Sequence, residues 1–263
     1  MPIENVANFS DPRVALYRNL KDHELDRAGQ FFIAEGEHLL RRLLASDFHI
    51  ESVLMADRRV DELSPLVQDR APIYVVPQPL MNEILGMKFH SGVMALGRRK
   101  PRSTIDQVVP KDKKSLTLVV CPEIANVENI GSLVRLSAGF GVDAMILGER
   151  CHDPFWRQSI RVSMGAVFML PIVQTDNLAR DLERLKQEWN IELIATILDK
   201  SAHPLAVSQR TNRIALLFGN EAQGLDQSWI DMCDKKVTIP MHHNTDSLNV
   251  ANAAAIFLYH FTK

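Results

Sequence analysis

The stretch Ile214-Ala215-Leu216-Leu217-Phe218-Gly219-Asn220-Glu221-Ala222-Gln223-Gly224-Leu225-Asp226 sets the fold class. Five apolar residues run straight into a polar loop that has a glycine at each end and a carboxylate at its tip. An apolar run without alternation reads as a strand buried on both faces, as in a parallel sheet. Glycines around a polar tip mark close approach of backbone to a ligand. The pattern repeats outward: Leu116–Cys121, Val142–Leu147, Ile191–Leu198 and Val237–Pro240 are further short apolar runs. Asn129 to Gly139 has helical period, with Ile130, Leu133, Val134, Ser137 and Ala138 on a shared face. Leu248 to Tyr259 is expected to be a final helix with Leu248, Ala251, Ala255, Ile256 and Tyr259 in register. Strands alternating with helices predict an α/β domain with a mostly parallel sheet covered on both faces. Ligands then bind beyond the carboxyl ends of the strands.

Three polar clusters follow these strands. The first, Asn126 to Arg135, offers Asn129 as a cap for a helix whose N–H groups face an anion, with Arg135 projecting from a similar side six residues on. The second is Gly219-Asn220-Glu221 through Gly224, where Glu221 either caps a helix or pairs with a base. The third runs from Ile239-Pro240-Met241 to Ser247-Leu248-Asn249, with Ser247 as an expected N-cap and Leu248 as an apolar wall. His242 and His243 are adjacent, lack metal-ligand spacing, and read as surface histidines. Gly139-Phe140-Gly141-Val142-Asp143-Ala144 matches a dinucleotide fingerprint, but it closes a helix and opens a strand, the reverse of the true order. Its glycines read as helix C-terminal residues.

The N-terminal third has its own layer. Residues 30–45 begin extended and become helical, with Leu39, Leu40, Leu43 and Leu44 on one face and Arg41 and Arg42 turned away. Ile50–Met55 and Ile73–Val76 are expected strands, so residues 1–97 form a smaller α/β domain. Asp11, Arg13, Arg18, Lys21, His23 and Arg27 precede it, either as solvated helix faces or as a polar substrate surface. Residues 98–114 hold seven Lys/Arg against two Asp/Glu, with Pro101 and Pro110, and read as a basic linker. It is either a solvated connector or a contact for a polyanion such as RNA. Residues 115–263 complete the larger domain.

At 263 residues, 46% hydrophobic and 24% charged, the chain excludes disordered, collagenous and coiled-coil classes. Its longest apolar run, near Val250 to Tyr259, is about half the length that crosses a bilayer. The start, Met1-Pro2-Ile3-Glu4-Asn5, has no secretory signal character, so Asn8-Phe9-Ser10 is read as a chance sequon. Cys121, Cys151 and Cys233 form no CxxC pair, which argues for a reduced, cytoplasmic setting with no disulfides and no metal site.

In order, the clusters resemble the signature segments of the SpoU/TrmH family of RNA ribose methyltransferases. The matching strings are Asn129-x-Gly131-x-x-x-Arg135, then Phe218-Gly219-Asn220-Glu221-x-x-Gly224-Leu225, then Ile239-Pro240-Met241 leading to Ser247-Leu248-Asn249-Val250. Arg161-x-Ser163-x-Gly165-Ala166 through Pro171 resembles the family's intermediate segment. The first segment departs from the family pattern: Val127-Glu128 stands where Asp-Pro usually precedes the Asn. More loosely, residues 10–97 resemble the ribosomal-protein-like RNA-binding domain that precedes the catalytic domain in many members. The resemblance implies a deep trefoil knot in the C-terminal sheet, S-adenosylmethionine as cofactor, a homodimer, and methylation of a ribose 2′-hydroxyl. Leu217, Gly219, Ile239, Met241 and Leu248 would line the cofactor pocket. Asn129, Arg135, Glu221, Ser247 and Asn249 would form the catalytic, RNA-facing set. Ribosomal RNA is expected over transfer RNA because of the separate N-terminal domain. The alternative is an RNA-binding protein that keeps the fold without turnover.

Overall fold

The computed structural model describes residues 2–18, 29–67, 69–242 and 247–262. Lys21, His23, Arg27 and His243 therefore lie outside the described residues. The chain divides into two compact units, Met1–Pro101 with Phe155–Phe168, and Arg102–Pro154 with Met169–Lys263.

The first unit is a five-stranded mixed sheet. Its strands are β1 (Ile3–Asn5), β2 (Phe31–Glu35), β3 (Ile50–Ala56), β4 (Ile73–Val76) and β5 (Val93–Arg98), in the order β1-β4-β3-β5-β2. β4 runs parallel to β1 and β3, while β5 runs antiparallel to β3 and β2. The helix Glu37–Leu44 buries Leu39, Leu40 and Leu43, as its leucine spacing requires. Phe155–Phe168 belongs to this unit although it lies within the larger domain in sequence. Phe32 packs its ring against Phe48, Phe155 and Phe168 at centroid separations of 5.5, 5.4 and 5.3 Å, a cluster that draws the segment in.

At the unit's edge the Arg13 guanidinium grips Asp11 through Nε (3.0 Å) and Nη2 (2.6 Å) and also pairs with Glu4. The hydrogen bonds from Arg13 hold the Asp11 carboxyl down at about 2. A carboxyl depressed in the folded state stabilises above its unfolded value near 4 and loses that contribution as pH falls through 2. A carboxyl NMR titration should place the Asp11 midpoint near 2, and Arg13→Ala should return it toward 3.8; a midpoint unmoved by that change would show that the guanidinium is not the cause.

The second unit is a seven-stranded, entirely parallel sheet. Its strands are β6 (Leu116–Cys121), β7 (Ala144–Leu147), β8 (Ile172–Gln174), β9 (Glu192–Thr196), β10 (His203–Pro204), β11 (Arg213–Leu217) and β12 (Lys235–Thr238), in the order β10-β12-β9-β11-β6-β7-β8. Every residue of β6 and β7 is buried, which is why β7 is an unbroken apolar run and β6 is apolar but for Thr117. The chain leaves β6 for β7 and β8, crosses to β9 on the far side, and returns to lay β11 between β9 and β6. The reversal of direction lies at β6 and β11, so the crevice at their carboxyl ends is the ligand position of such a sheet.

Several expected boundaries move. The basic stretch is not a free linker: Ile105–Val108 is a short helix with a Thr104/Gln107 capping box, and Ile105 and Val109 are buried in the second unit's core. Five of its cations are paired, Arg98 with Glu51, Lys100 with Asp47, Arg102 with Asp176, Lys111 with Glu188 and Lys113 with Asp143. The more exposed of these pairs each contribute at most about 1 kcal/mol, whereas Asp143 and Glu51 are only 13% and 24% exposed. β12 begins two residues before the expected Val237, at Lys235. The helix Val127–Gly139 is capped by Asn126, not Asn129: the Asn126 side chain accepts the N–H groups of Glu128 (2.7 Å) and Asn129 (3.3 Å). Gly141, at φ +71°, ends that helix, with the Val142 N–H returned to the Ser137 carbonyl at 2.9 Å, so the glycine pair is a helix stop. The last helix runs Val250–Phe261 and is capped by Asn249, not Ser247. It buries Ala251, Ala254, Phe257, Leu258 and Phe261 and packs on the helix Val127–Gly139, while Ile256 and Tyr259 of the expected stripe are 43% and 60% exposed. Among the described residues no helix is long and apolar enough to cross a membrane.

Candidate active site

Three loops leave the carboxyl ends of β6, β11 and β12, and their polar residues converge. The Asn129 side chain, on the first turn of its helix and 8% exposed, donates from Nδ2 to Glu221 Oε1 at 2.9 Å. Its Oδ1 accepts from Asn249 Nδ2 at 3.0 Å. The Asn126 backbone N–H adds a second bond to Glu221 Oε1 at 3.2 Å, and Asn249 Oδ1 accepts the Ala251 N–H at 2.9 Å. A buried amide is thus fixed on both sides, and a carboxylate with one oxygen held by two donors is presented to solvent. Asn126 is the member that sequence reading undervalued, although an Asn just before an apolar-periodic stretch is the ordinary cap signal.

Glu221 reaches this position because its loop folds back on itself. Asn220 and Gly224 exchange two backbone hydrogen bonds of 2.9 Å, and Asn220 Oδ1 takes the N–H groups of Ala222 (2.9 Å) and Gln223 (3.3 Å). A Cβ on Gly219 would lie 2.2 Å from the Gly224 carbonyl carbon and the Leu225 nitrogen. Backbone cannot yield as a flexible side chain can, so Gly219→Ala should open the loop and weaken binding of S-adenosylmethionine, the cofactor that the sequence resemblance implies, about 100-fold, read by calorimetry on the folded variant. Unchanged binding would mean that the loop's tight closure does not matter to the pocket.

The other expected site residues fall into two groups. Ile239, Met241 and Leu248 are half-buried along the third loop, and the backbone N–H groups of Ile239 and Met241 bond to no described residue. Apolar walls with open backbone donors suit a flat ligand with a polar edge. Leu217 differs: its side chain is fully buried in the sheet core, and its carbonyl accepts the Thr196 hydroxyl at 2.6 Å. Ser247 is exposed beside the undescribed 243–246 stretch, and His242 is exposed.

Arg135 is not brought to the Asn129 side of its helix. Six residues at 100° each carry it about 240° round the axis, into the middle of the solvent face. It is exposed and makes no hydrogen bond or ion pair with any described residue. The thiols nearby are unreactive: burial raises Cys121 well above its ordinary value and pushes Cys151 up to about 12, with the Glu221 charge adding to both. Among the described residues no group of three His, Cys, Asp or Glu side chains could hold a metal ion.

A parallel α/β sheet with its polar cluster at the switch point defines the class of α/β enzymes that bind their ligand beyond the strand ends. The chain belongs to the SpoU rRNA methylase family, whose family model matches residues 116–259. It is an RNA methyltransferase. It is 35% identical over 273 residues to an uncharacterized tRNA/rRNA methyltransferase of Mycobacterium tuberculosis, an alignment covering 100% of this chain and 93% of the relative. It is 26% identical over 233 residues, 87% of each chain, to the 23S rRNA (guanosine(2553)-2′-O)-methyltransferase RlmP of Bacillus subtilis. The AdoMet-bound rRNA methyltransferase of Sinorhizobium meliloti superposes with a TM-score of 0.85 at 23% identity, over 98% of this chain and 97% of that one, which shows a shared fold.

Proposed function

We propose that the protein transfers a methyl group from S-adenosylmethionine to a ribose 2′-hydroxyl of ribosomal RNA. The observation that carries this reading is the Asn249–Asn129–Glu221 hydrogen-bonded chain at the β6/β11 crevice, beside the open backbone of Ile239 and Met241. The named 2′-O-methyltransferase of 23S rRNA among the relatives supports the substrate.

S-adenosylmethionine supplies a methyl on a sulfonium, a leaving group that needs little assistance. The residues fit its binding: half-buried Ile239, Met241 and Leu248 offer apolar walls, the third loop offers backbone donors, and Gly219 gives the close approach. The chain's task is to align the hydroxyl oxygen and raise its nucleophilicity, and alignment alone supplies several kcal/mol. Glu221 and Asn129 orient the ribose, and Ser247 and Asn249 shape the turn. Arg135 acts as a cation beside the sugar and phosphate, favouring loss of the hydroxyl proton to solvent water as the methyl passes from sulfur to oxygen, because a guanidinium keeps its own proton and serves better as a clamp than as a base.

The unit that acts is a homodimer. Arg135 and the Asn129 cluster lie on different sides of one helix, and Ile256 and Tyr259 leave an apolar stripe exposed on the last helix, with Val207 74% exposed on the segment that this helix packs against. The insertion of β11 between β9 and β6, followed by return of the last helix onto Val127–Gly139, supports a deep trefoil knot. The first unit serves as an RNA-binding domain, and the enzyme works in the cytoplasm.

The test is tritium-methyl labelling of total RNA from cells that lack the protein, followed by fractionation and nucleotide mapping. Label in a single 2′-O-methylnucleoside of ribosomal RNA is the expected result. Label in transfer RNA moves the substrate; donor and RNA binding without any label leaves a non-catalytic RNA binder.

A further inference from the structure

The turn after β7 is tied to both loops that build the site. The Gly148 N–H donates to the Cys121 carbonyl at 2.8 Å, and a Cβ on Gly148 would lie 2.4 Å from the Pro122 carbonyl oxygen, so the two strand ends touch backbone to backbone. Cys151 then reaches across: its S–H donates to the Cys121 carbonyl at 3.0 Å, and its Sγ accepts the Ile124 N–H at 3.3 Å. The His152 N–H closes the contact on the Ile124 carbonyl at 2.8 Å. Arg150 binds Glu123 (2.9 Å) on the same loop and Asp226 (3.2 Å) at the far end of the Glu221 loop.

We propose that Cys151 is a positioning residue of the methyltransferase site, holding the Pro122–Asn126 loop so that Asn126 and Asn129 meet Glu221, with Arg150 as a secondary tie between the two loops. The inference rests on the methyltransferase reading and adds a residue outside the family segments. Cys151 itself touches none of the three loop residues it aligns. Its path is through Ile124, two residues ahead of Asn126, whose N–H and cap then set Glu221 and the helix start. Ile124 is fully buried, and its N–H has the Cys151 sulfur as its acceptor among the described residues, so losing the sulfur strands a buried donor. Burial keeps the thiol protonated across any assay range, which the donated bond to Cys121 requires. Arg150 and Asp226 are 59% and 47% exposed, so that tie is the weaker of the two.

The test uses the full chain, tritiated S-adenosylmethionine and total RNA from cells that lack the protein. Cys151→Ala should lower kcat about tenfold, the scale of a small misalignment, with donor affinity by calorimetry within about twofold. Cys151→Ser keeps a donor and an acceptor and should recover most of the rate. In a Glu221→Gln background, Cys151→Ala should cost almost nothing further, because both act through one carboxylate. The proposal is overturned if Cys151→Ala matches wild type, if its effect multiplies with Glu221→Gln, or if Ser fails as badly as Ala while donor binding collapses. A wild type that transfers no methyl group while binding donor overturns the functional reading itself.

Discussion

Arg135→Ala should reduce methyl transfer about 10³-fold while leaving donor affinity unchanged. The side chain is exposed, makes no bond to a described residue, and lies on the solvent face of the helix Val127–Gly139, so its removal leaves no cavity and no orphaned partner in the fold. The loss then falls on the chemical step, in which the oxygen–methyl bond forms, the methyl–sulfur bond breaks and the hydroxyl proton passes to solvent water, because the cation stabilises the partly deprotonated ribose oxygen. Single-turnover rates with calorimetric donor binding separate the two quantities. Arg135→Lys keeps a cation on a flexible stem and should retain measurable turnover. If Lys is as inactive as Ala, the guanidinium works by two-point geometry rather than charge. If Ala keeps most of the rate, Arg135 has no part in the chemistry.

The parallel sheet was legible because its strands are buried on both faces. Ile214–Leu217 is a continuous apolar run for that reason, and Leu116–Cys121 is broken only by the buried Thr117. β12 was less so, since Lys235 and Lys236 open it with charge although they pair with β9. The helix Leu178–Trp189 lies outside the expected elements even though Leu178, Leu182, Leu185 and Trp189 repeat at helical spacing and are buried. The last helix has apolar residues nearly all round, so periodicity alone could not choose between the buried Ala254–Phe257–Phe261 side and the exposed Ile256–Tyr259 side.

The polar site was legible as a set of residues and not as a set of roles. Asn126 and Asn129, and again Ser247 and Asn249, are all competent caps three or two residues apart, and only backbone geometry decides which one caps. In both pairs the expected residue gives way to its neighbour. Asn129 is thereby released to bridge Asn249 and Glu221, whereas Asn249 caps with Oδ1 and bridges with Nδ2. Cys151 had no sequence signal at all, because its contacts are to backbone groups brought near by the β6/β7 ladder. The linker misreading has a similar origin: a four-residue helix with one core residue, followed by a buried Val109, is too short to show a period.

Mixing two inactive variants should restore activity. If one protomer's Arg135 serves a second copy's Asn129–Glu221–Asn249 cluster, Arg135→Ala and Glu221→Ala damage opposite halves of each shared site. A dimer with one subunit of each kind then has one site with both defects and one with neither. Random reassortment makes half of the dimers mixed, so about a quarter of wild-type activity should return from two preparations that are each nearly inert. The angular separation of about 120° between Asn129 and Arg135 motivates this, since it aims the Arg135 stem away from the Asn129 cluster of its own chain. The sign of the outcome is sharp: if Arg135 reached its own chain's cluster, every site in the mixture would carry at least one defect and no activity would return. Co-expression with two affinity tags isolates the mixed dimer, whose rate should be about half that of wild type per dimer.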